Sequence, residues 1–141
     1  METTDNMAEL VRPTWEEYAM NLAFAARTRS EDPHLKVGAC VLRPDNSVAA
    51  LGYNGVTAGL TIDWTDRDKR RKFVIHAEKN CLKYCTPGNC QLIAVTLLPC
   101  SDCILTIASY GIKKVLYRDL YERDLTAFEV AETFGIELKQ I

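Results

Sequence analysis

The amino-acid sequence predicts an α/β protein, a three-layer α/β/α sandwich built around a five-stranded mixed sheet. The first observation is the order of segments: helical periodicity alternates with short apolar runs as α-β-β-α-β-α-β-α-β, which covers a mixed sheet with helices on both faces. The second is size, because 141 residues suit one buried core, and we expect residues 1–141 to form a single domain. The third is composition, since 48% hydrophobic and 26% charged residues are typical of a globular protein.

The N-terminal part of the chain predicts a helix followed by a β-hairpin. In residues 12–30, Thr14 and Glu17 have the spacing of a capping box, a reciprocal pair of hydrogen bonds that begins helices. Five apolar residues then recur at helical spacing: Trp15, Ala19, Leu22, Ala23 and Ala26. The β-prone runs "KVGACVLR" and "SVAALGYN" are separated by "PDN" and therefore predict a hairpin. A loop of about twenty residues, 55–75, comes next, and loops of this length are often functional.

The remainder of the chain alternates helices and strands. "HAEKNCLKYC" has a helical pattern that stops at "TPGN", and "QLIAVTL" is short and apolar enough to be a buried strand. "CILTIASY" predicts a helix that Gly111 ends, and "KKVLY" predicts the following strand. Asp124 is the expected N-cap of the last helix, in "DLTAFEVAETFG", with Leu125 and Phe128 on one apolar face and Gly135 at its end. "IELKQI" alternates as a final strand.

Charge and apolar patterning disfavour some partners. No run approaches the about 18 consecutive apolar residues of a membrane span, and the N-terminal "METTDNMAEL" lacks the basic and apolar blocks of a signal peptide. We therefore expect a cytoplasmic protein with no membrane partner. A net charge of −2 disfavours a nucleic-acid polymer as partner and leaves a mononucleotide open. In a reducing cytoplasm the six cysteines are expected to bind metal or to pack in the core.

Two segments, "VIHAEKN" and "LLPCSDC", carry potential zinc ligands. We expect His76 at the N-terminus of one helix, with Cys100 and Cys103 three residues apart on one face of another. Three such ligands suit tetrahedral zinc and leave its fourth position open for water, as in catalytic sites. Partial positive charge at the start of a helix favours the thiolate forms that bind metal.

Glu78 follows His76 by two residues, where it is placed to accept a proton from zinc-bound water, whose pKa is about 7, and to return it to a ring nitrogen. The pattern H-x-E followed by P-C-x-x-C is the signature of zinc-dependent nucleobase deaminases and therefore indicates hydrolytic deamination. The alternative is a structural zinc knuckle closed by a fourth cysteine, in which Glu78 is a solvated acid in the first helical turn.

Further blocks of sequence surround these two segments: "RSEDPHLKVGACVL" (29–42), "GYNG" (52–55), "HAEKN" (76–80), "LLPCSDC" (97–103) and "YGIKKVLY" (110–117). In content and order they resemble the zinc-dependent cytidine deaminase superfamily and, within it, the deoxycytidylate (dCMP) deaminases. The resemblance runs from about residue 20 to the C-terminus, and "VTAG" at 56–59 departs from the family pattern. It implies a cytidine deaminase-like fold and the conversion of dCMP to dUMP and ammonia.

The resemblance also implies a role for individual residues. A guanidinium group is suited to phosphate because it donates two parallel hydrogen bonds. The implied zinc ligands are His76, Cys100 and Cys103, and the implied proton shuttle is Glu78. The implied substrate contacts are Asn54 to the deoxyribose, main-chain groups at Ala77 and Cys100 to the pyrimidine, and Arg29, together with Tyr121, to the 5′-phosphate.

Nucleotide effectors and assembly follow from the same resemblance. It implies activation by dCTP, inhibition by dTTP, Mg²⁺ accompanying a triphosphate effector, and homohexamers built from dimers. Some phage relatives also accept dCTP as a substrate. Two other functions stay open at this point: a related deaminase acting on free cytidine or on adenosine in tRNA, and a non-catalytic, zinc-stabilised binding module.

Two groups of residues have no role in this interpretation. The basic run "RDKRRK" (67–72) could bind the phosphates of a triphosphate effector, but we interpret it as a solvated face, which is the usual role of a charge run. Cys81, Cys85 and Cys90 could form a second zinc site with His34, but we interpret them as core or surface thiols. Cys40 lies in a predicted strand and is expected in the core.

Overall fold

The computed structural model describes residues 11–141; residues 1–10, on which the expectation of no signal peptide rests, lie outside this range. The helices are α1 (Trp15–Arg27), α2 (Arg67–Phe73), α3 (Ala77–Leu82), α4 (Ser101–Ser109) and α5 (Thr126–Thr133). The strands are β1 (Gly38–Leu42), β2 (Val48–Tyr53), β3 (Leu92–Leu97), β4 (Lys114–Asp119) and β5 (Glu137–Gln140).

The five strands form one mixed sheet in the order β2-β1-β3-β4-β5. β1 pairs antiparallel with both β2 and β3, so Ala39 lies between Gly52 on one side and Val95 on the other. β3, β4 and β5 are parallel to one another. Parallel neighbours require a crossover, and α4 and α5 follow β3 and β4 in sequence to provide it. The predicted five-stranded mixed sheet and its hairpin are confirmed.

Helices cover both faces of this sheet. On one face α1 packs Ala19, Met20 and Ala23 against a cluster that includes Cys40 and Leu116. On the other face a larger cluster unites side chains of α3, α4 and α5 with the opposite side of the strands. The side chains of a strand alternate between the faces, so β1 and β3 supply both clusters; β1 is buried throughout and β3 is buried except at Leu97. The predicted three-layer sandwich is confirmed.

Two glycines let helices lie directly on the sheet. A Cβ atom at Gly52 in β2 would lie 2.5 Å from the Cys81 nitrogen and 2.7 Å from the Ala77 oxygen, both in α3. On the opposite face, a Cβ at Gly38 would clash with the Ala23 carbonyl oxygen of α1. The depth at which α3 sits against the sheet therefore depends on the absence of a side chain at Gly52.

One predicted loop contains a helix. Residues 55–75 were expected to be loop throughout, but α2 occupies Arg67–Phe73. The Asp66 side chain accepts hydrogen bonds from the amides of Asp68 and Lys69 and so begins the helix. No residue of α2 is buried, which explains why the apolar periodicity of the sequence did not reveal it.

Predictions at other helix ends and faces are partly confirmed. The Thr14 and Glu17 capping box at the start of α1 is present as predicted, although Trp15 is half-exposed. The expectation for α5 was wrong, because Leu125 occupies the N-cap position and the Asp124 carboxylate accepts a hydrogen bond from Ser101 at the start of α4. The buried residues of α5 are alanines, whereas Leu125 and Phe128 are largely exposed.

Candidate active site and metal centre

The metal-binding candidates lie at the starts of two neighbouring helices. His76 is the N-cap of α3 and Cys100 is the N-cap of α4, and both have extended backbone conformation. Neither side chain caps its own helix, so both are free to project towards each other. Cys103 lies one turn along α4 and is fully buried. The two helix starts that the sequence predicted to meet are therefore adjacent.

The spacing of the three ligand atoms fits a tetrahedral metal. The Nδ1 atom of His76 lies 3.3 Å from the Sγ atom of Cys103 and 3.6 Å from that of Cys100. Zinc bonded tetrahedrally at about 2.0 Å to nitrogen and about 2.3 Å to sulfur places such atoms about 3.5 Å apart. The two distances from His76 match this spacing, and all three ligand atoms lie within 4.8 Å of one another, so the residues present fit zinc.

Within residues 11–141 this trio is the one set of at least three His, Cys, Asp or Glu side chains with ligand atoms mutually close enough for a metal. Cys81, Cys85, Cys90 and His34 do not form a second such set. The Nε2 atom of His34 is instead 2.9 Å from the Trp64 carbonyl oxygen. The interpretation of these cysteines as core or surface thiols is consistent with the structure, since Cys81 and Cys90 are buried and Cys85 is half-buried.

Electrostatics at the site favour metal-binding forms of these side chains. A hydrogen bond from Cys103 lowers the pKa of Cys100 to about 4, and the contact with His76 acts in the same direction. The neighbouring Cys100 sulfur and burial both raise the pKa of Cys103. The hydrogen bond to Cys100 also raises the pKa of His76. A divalent cation among them would replace the shared protons and allow both sulfurs to be thiolates.

Glu78 lies inside the protein next to these ligands. It occupies the first turn of α3 and is only 4% exposed. Burial raises the pKa of its carboxyl group to about 7, whereas its own backbone amide and His76 act in the opposite direction. A carboxyl group whose pKa lies near neutrality can both accept and donate a proton, which general acid–base catalysis requires. The alternative of a solvated first-turn acid is contradicted by this burial.

A pocket of about 660 Å³ opens beside the metal-binding candidates. His76, Glu78 and Cys100 form part of its wall, and apolar side chains including Val37, Val74, Leu97 and Leu98 form another part. Small-molecule sites commonly have volumes of about 300–1,000 Å³ and combine an apolar lining with a few polar groups. The size and lining of this pocket therefore suit a molecule such as a nucleotide.

Apart from the metal-binding candidate Cys100, which also lines the pocket, the structure places three of the four predicted substrate contacts in the pocket wall. Asn54, Ala77 and Tyr121 line it, whereas Arg29 is exposed and does not. Asn54 is also engaged within the protein: its Oδ1 accepts hydrogen bonds from Ser30 and from the Val37 amide. Its Nδ2 donates to the Leu35 carbonyl at 2.7 Å. Asn54 thus holds the loop that forms one side of the pocket, and the roles of all four residues in binding substrate stay predictions.

Four arginines line the pocket that were not predicted there: Arg67, Arg70 and Arg71 from α2, and Arg123 after β4. The basic run was recognised in the sequence but was interpreted as solvated. Its direction could not be predicted because it depends on α2, which has no apolar face. The sequence contains no comparable signal for Arg123.

Asp124 is a further residue whose place near the site was not predicted. Its Oδ2 accepts hydrogen bonds from the Ser101 amide at 2.7 Å and from the Ser101 hydroxyl at 2.9 Å. Ser101 is the first residue of α4 and directly follows Cys100. Asp124 therefore holds the start of the helix that presents both cysteines.

The part of the chain that the structure describes contains no helix that is both long and apolar enough to cross a membrane. The family model for the cytidine and deoxycytidylate deaminase zinc-binding region matches residues 13–118, which contain all three metal-binding candidates and Glu78.

Individual relatives agree with this match. The chain is 35% identical to human deoxycytidylate deaminase over 113 residues, which cover 73% of this chain and 64% of the human protein. It is 33% identical to the deoxycytidylate deaminase of Saccharomyces cerevisiae over 147 aligned positions, covering 95% of this chain and 47% of the yeast protein. The chain thus spans less than two thirds of the length of either relative.

A solved structure covers nearly the whole chain. The dCMP deaminase of the cyanophage S-TIM5, in complex with dCMP and dUMP, superposes with a TM-score of 0.79 and is 30% identical. The match covers 94% of this chain and 100% of the phage chain. Fold, metal-site spacing and sequence agree, and the chain belongs to the family of cytidine and deoxycytidylate deaminases that share this zinc-binding region.

Proposed function

We propose that this protein catalyses the hydrolytic deamination of dCMP to dUMP and ammonia. The observation that carries the proposal is the buried Glu78 carboxyl group beside three metal-binding candidates in the wall of a nucleotide-sized pocket. Relatives named deoxycytidylate deaminase and the cyanophage enzyme solved with dCMP and dUMP support the choice of substrate.

The metal and the protein contribute different parts of the proposed reaction. Zinc held by His76, Cys100 and Cys103 would supply Lewis acidity, which lowers the pKa of water to about 7. Glu78 accepts a proton from the attacking water and transfers it to the ring nitrogen beside the amino-bearing carbon. A carbon–oxygen bond forms at that carbon. Glu78 then takes the remaining proton of the newly added hydroxyl group and delivers it to the amino group, so that the carbon–nitrogen bond breaks, ammonia leaves and the carbonyl group of dUMP forms.

The pocket wall provides the contacts that orient the nucleotide. The main chain at Ala77 and Cys100 faces the pyrimidine, and Asn54 contacts the deoxyribose while it holds the neighbouring loop. Tyr121 contacts the 5′-phosphate from inside the pocket, and Arg29 reaches it from the exposed surface. These contacts fix the amino-bearing carbon next to Glu78, and correct positioning itself contributes to the rate.

We also propose the regulation and the assembly that the family resemblance implies. dCTP activates the enzyme and is accepted as a substrate, dTTP inhibits it, and Mg²⁺ accompanies the triphosphates. The protein assembles as homohexamers built from dimers, which sedimentation analysis of the purified chain measures directly. A protein that sediments as a monomer at all concentrations would contradict this assembly.

One chromatographic assay tests the function. Purified, zinc-loaded protein is incubated in parallel with dCMP, dCTP and deoxycytidine, each with and without the two triphosphate effectors. We expect dUMP from dCMP, faster with dCTP and slower with dTTP. Turnover of deoxycytidine alone would identify a nucleoside deaminase instead. If the protein contains stoichiometric zinc but deaminates none of the three, the non-catalytic binding module is the better interpretation.

A further inference from the structure

We propose that the arginines of α2, together with Arg123, bind the β- and γ-phosphates of a nucleoside triphosphate in the active-site pocket and thereby determine how well the enzyme accepts dCTP relative to dCMP. This inference rests on the proposed deaminase function and deepens it, because it names the residues that determine the length of the phosphate chain. Arg67, Arg70 and Arg71 line one part of the same pocket that Glu78 and His76 line elsewhere.

These guanidinium groups are available to a ligand. Within residues 11–141, neither the three pocket-lining arginines of α2 nor Arg123 forms a salt bridge. Arg70 donates one hydrogen bond, at 2.6 Å, to the Trp64 carbonyl oxygen, and none of the other three donates a side-chain hydrogen bond to the described part of the chain. Four cationic side chains at one opening, without carboxylate partners, repel one another until an anion lies between them.

The pocket contains little negative charge to offset them. Asp32 and Glu78 are the carboxyl residues among the described residues that line it. The Oδ1 atom of Asp32 accepts hydrogen bonds from the amides of His34 and Leu35, and its Oδ2 lies 3.4 Å from the Asn54 amide nitrogen. The carboxylate of Asp32 is thus occupied by hydrogen bonds to nearby residues, and Glu78 lies at the buried end of the pocket. The opening of the pocket therefore has an excess of positive charge.

Hydrogen bonds fix the position of α2 beside the pocket. Asp66 begins the helix, and the Trp64 carbonyl oxygen accepts hydrogen bonds from both Arg70 and His34. His34 belongs to a separate loop that also lines the pocket, so this shared oxygen joins that loop to the segment before α2. Because α2 is held in this way, Arg67 and Arg71, four residues apart on one helical face, point to the same region.

The number of arginines indicates a phosphate chain. One phosphate is commonly met by one bidentate guanidinium, and Arg29 with Tyr121 is already proposed for the 5′-phosphate. Four additional arginines carry more positive charge than the about −2 of a monophosphate balances. A triphosphate extends two further phosphates from the 5′ position and offers partners for them.

Internal competition between dCMP and dCTP tests this inference. Both nucleotides are present at equal concentration in one reaction with full-length, zinc-loaded protein, and early formation of dUMP and dUTP is measured. The product ratio at equal concentrations depends only on the two values of kcat/KM, so activation by a triphosphate at another site leaves it unchanged when both values rise by the same factor. The test variant is Arg67→Gln/Arg71→Gln, which leaves Arg70 and its contact with Trp64 intact. The controls are Lys72→Gln, on the same helix but outside the pocket lining, and Arg29→Ala.

We expect the wild type to form both dUTP and dUMP and the double variant to lower the ratio of dUTP to dUMP about tenfold or more, since a hydrogen bond to a charged group contributes about that factor. Lys72→Gln leaves the ratio unchanged, and Arg29→Ala slows both substrates alike. An unchanged ratio in the double variant overturns the inference, as does an equal change in Lys72→Gln, which indicates a general charge effect. A wild type that forms dUMP but no dUTP also overturns it.

A different result is expected if the protein is not a deaminase at all. If the wild type forms neither product, deamination is not the function, and the phosphate subsite is judged by calorimetric binding of dUTP and dUMP, neither of which has an amino group to lose. Weaker dUTP binding by the double variant, with dUMP binding and helix content unchanged, supports the subsite. Equal dUTP affinity for wild type and double variant overturns it.

Discussion

Glu78 combines two properties: it is almost fully buried, and it lies beside three metal-binding candidates. Burial raises the pKa of its carboxyl group to about 7. In the proposed reaction it moves two protons, one from water and one to the leaving amine. No neighbouring carboxyl group in the described pocket wall can replace it, because Asp32 is committed to the loop that contains it.

The variant Glu78→Gln tests this role. It retains the shape of the side chain but cannot carry a proton, so we expect kcat for dCMP to fall by about 10³ or more, a typical contribution of general acid–base catalysis. Zinc content, measured by elemental analysis, should equal that of the wild type, because the three ligands are unchanged. A variant that retains zinc and a substantial part of its activity would contradict the proton-transfer role.

The residues near the metal could be predicted because their spacing is local. His76 and Glu78 are two residues apart, and Cys100 and Cys103 are three apart at the start of a helix, so the chain itself brings each pair together. Arg67 and Arg71 illustrate the opposite case. Their charge is evident in the sequence, but their direction depends on how α2 packs, and α2 has no buried side chain to indicate it.

At the scale of the elements, the packing of α3 on β2 sets the position of His76 and Glu78. Because Gly52 has no side chain, the α3 backbone lies against β2 in the space that a Cβ atom would occupy. α3 begins directly after His76, so this contact also positions His76. The sequence predicted both elements but not this contact, because it forms between segments about thirty residues apart.

Gly52→Ala should therefore move α3 away from the sheet. We expect it to destabilise the fold by about 1–3 kcal/mol, the usual cost of overpacking, and to lower kcat at the same time. Gly38→Ala, which crowds α1 on the opposite face, is the matched control and should lower the melting temperature with a much smaller effect on kcat. If the two variants were equally destabilised and lost the same fraction of kcat, the position of α3 would not be what determines kcat.

Glu16 joins α1 to two strands. Its carboxylate lies 2.7 Å from the Nζ atoms of both Lys114 in β4 and Lys139 in β5. The hydrogen bond from Lys114, and then that from Lys139, lower the pKa of Glu16 below its usual 4.5. A carboxyl group with a lowered pKa in the folded state stabilises the fold above its unfolded-state pKa, and this contribution is lost as the pH falls through the folded-state pKa.

Glu16→Gln should accordingly be less stable than the wild type at neutral pH by less than about 1 kcal/mol, because the three groups are partly exposed. The difference should shrink below pH 4.5 and disappear once the wild-type carboxyl group is protonated. Thermal unfolding across this pH range measures it, with the exposed Glu129→Gln as control. A difference that does not change with pH would contradict the ion-pair explanation.

At the scale of the whole molecule, the layers could be predicted because alternating helices and strands leave few arrangements that bury both faces of a sheet. The predicted strands, their order along the chain and the hairpin are present. The two differences from the predicted fold are local. Asp66 accepts hydrogen bonds that begin the additional helix α2. The Asp124 carboxylate accepts a hydrogen bond from Ser101 at the start of α4, and Leu125 is the N-cap of α5.

Metal removal should affect the stability of the entire fold. His76 at the start of α3 and two cysteines of α4 belong to separate elements, so a metal that binds only the folded chain stabilises it by mass action. We expect chelation to lower the melting temperature by about 5 °C or more and added zinc to restore it. Cys103→Ser should melt at the lower temperature with or without chelator. A melting temperature unaffected by chelation of the wild type, with zinc loss verified, would contradict this coupling.

The N-cap positions of α3 and α4 hold metal-binding candidates where a helix ordinarily gains stability. Natural helices usually place Ser, Thr, Asp or Asn there, and such a residue contributes about 1 kcal/mol over one that makes no cap. This chain has His76 and Cys100 in those places, and neither makes a cap hydrogen bond. Exchanging both for capping residues would stabilise the metal-free fold and remove two of the three candidate ligands, so a more stable fold and a complete metal site exclude each other at these two positions.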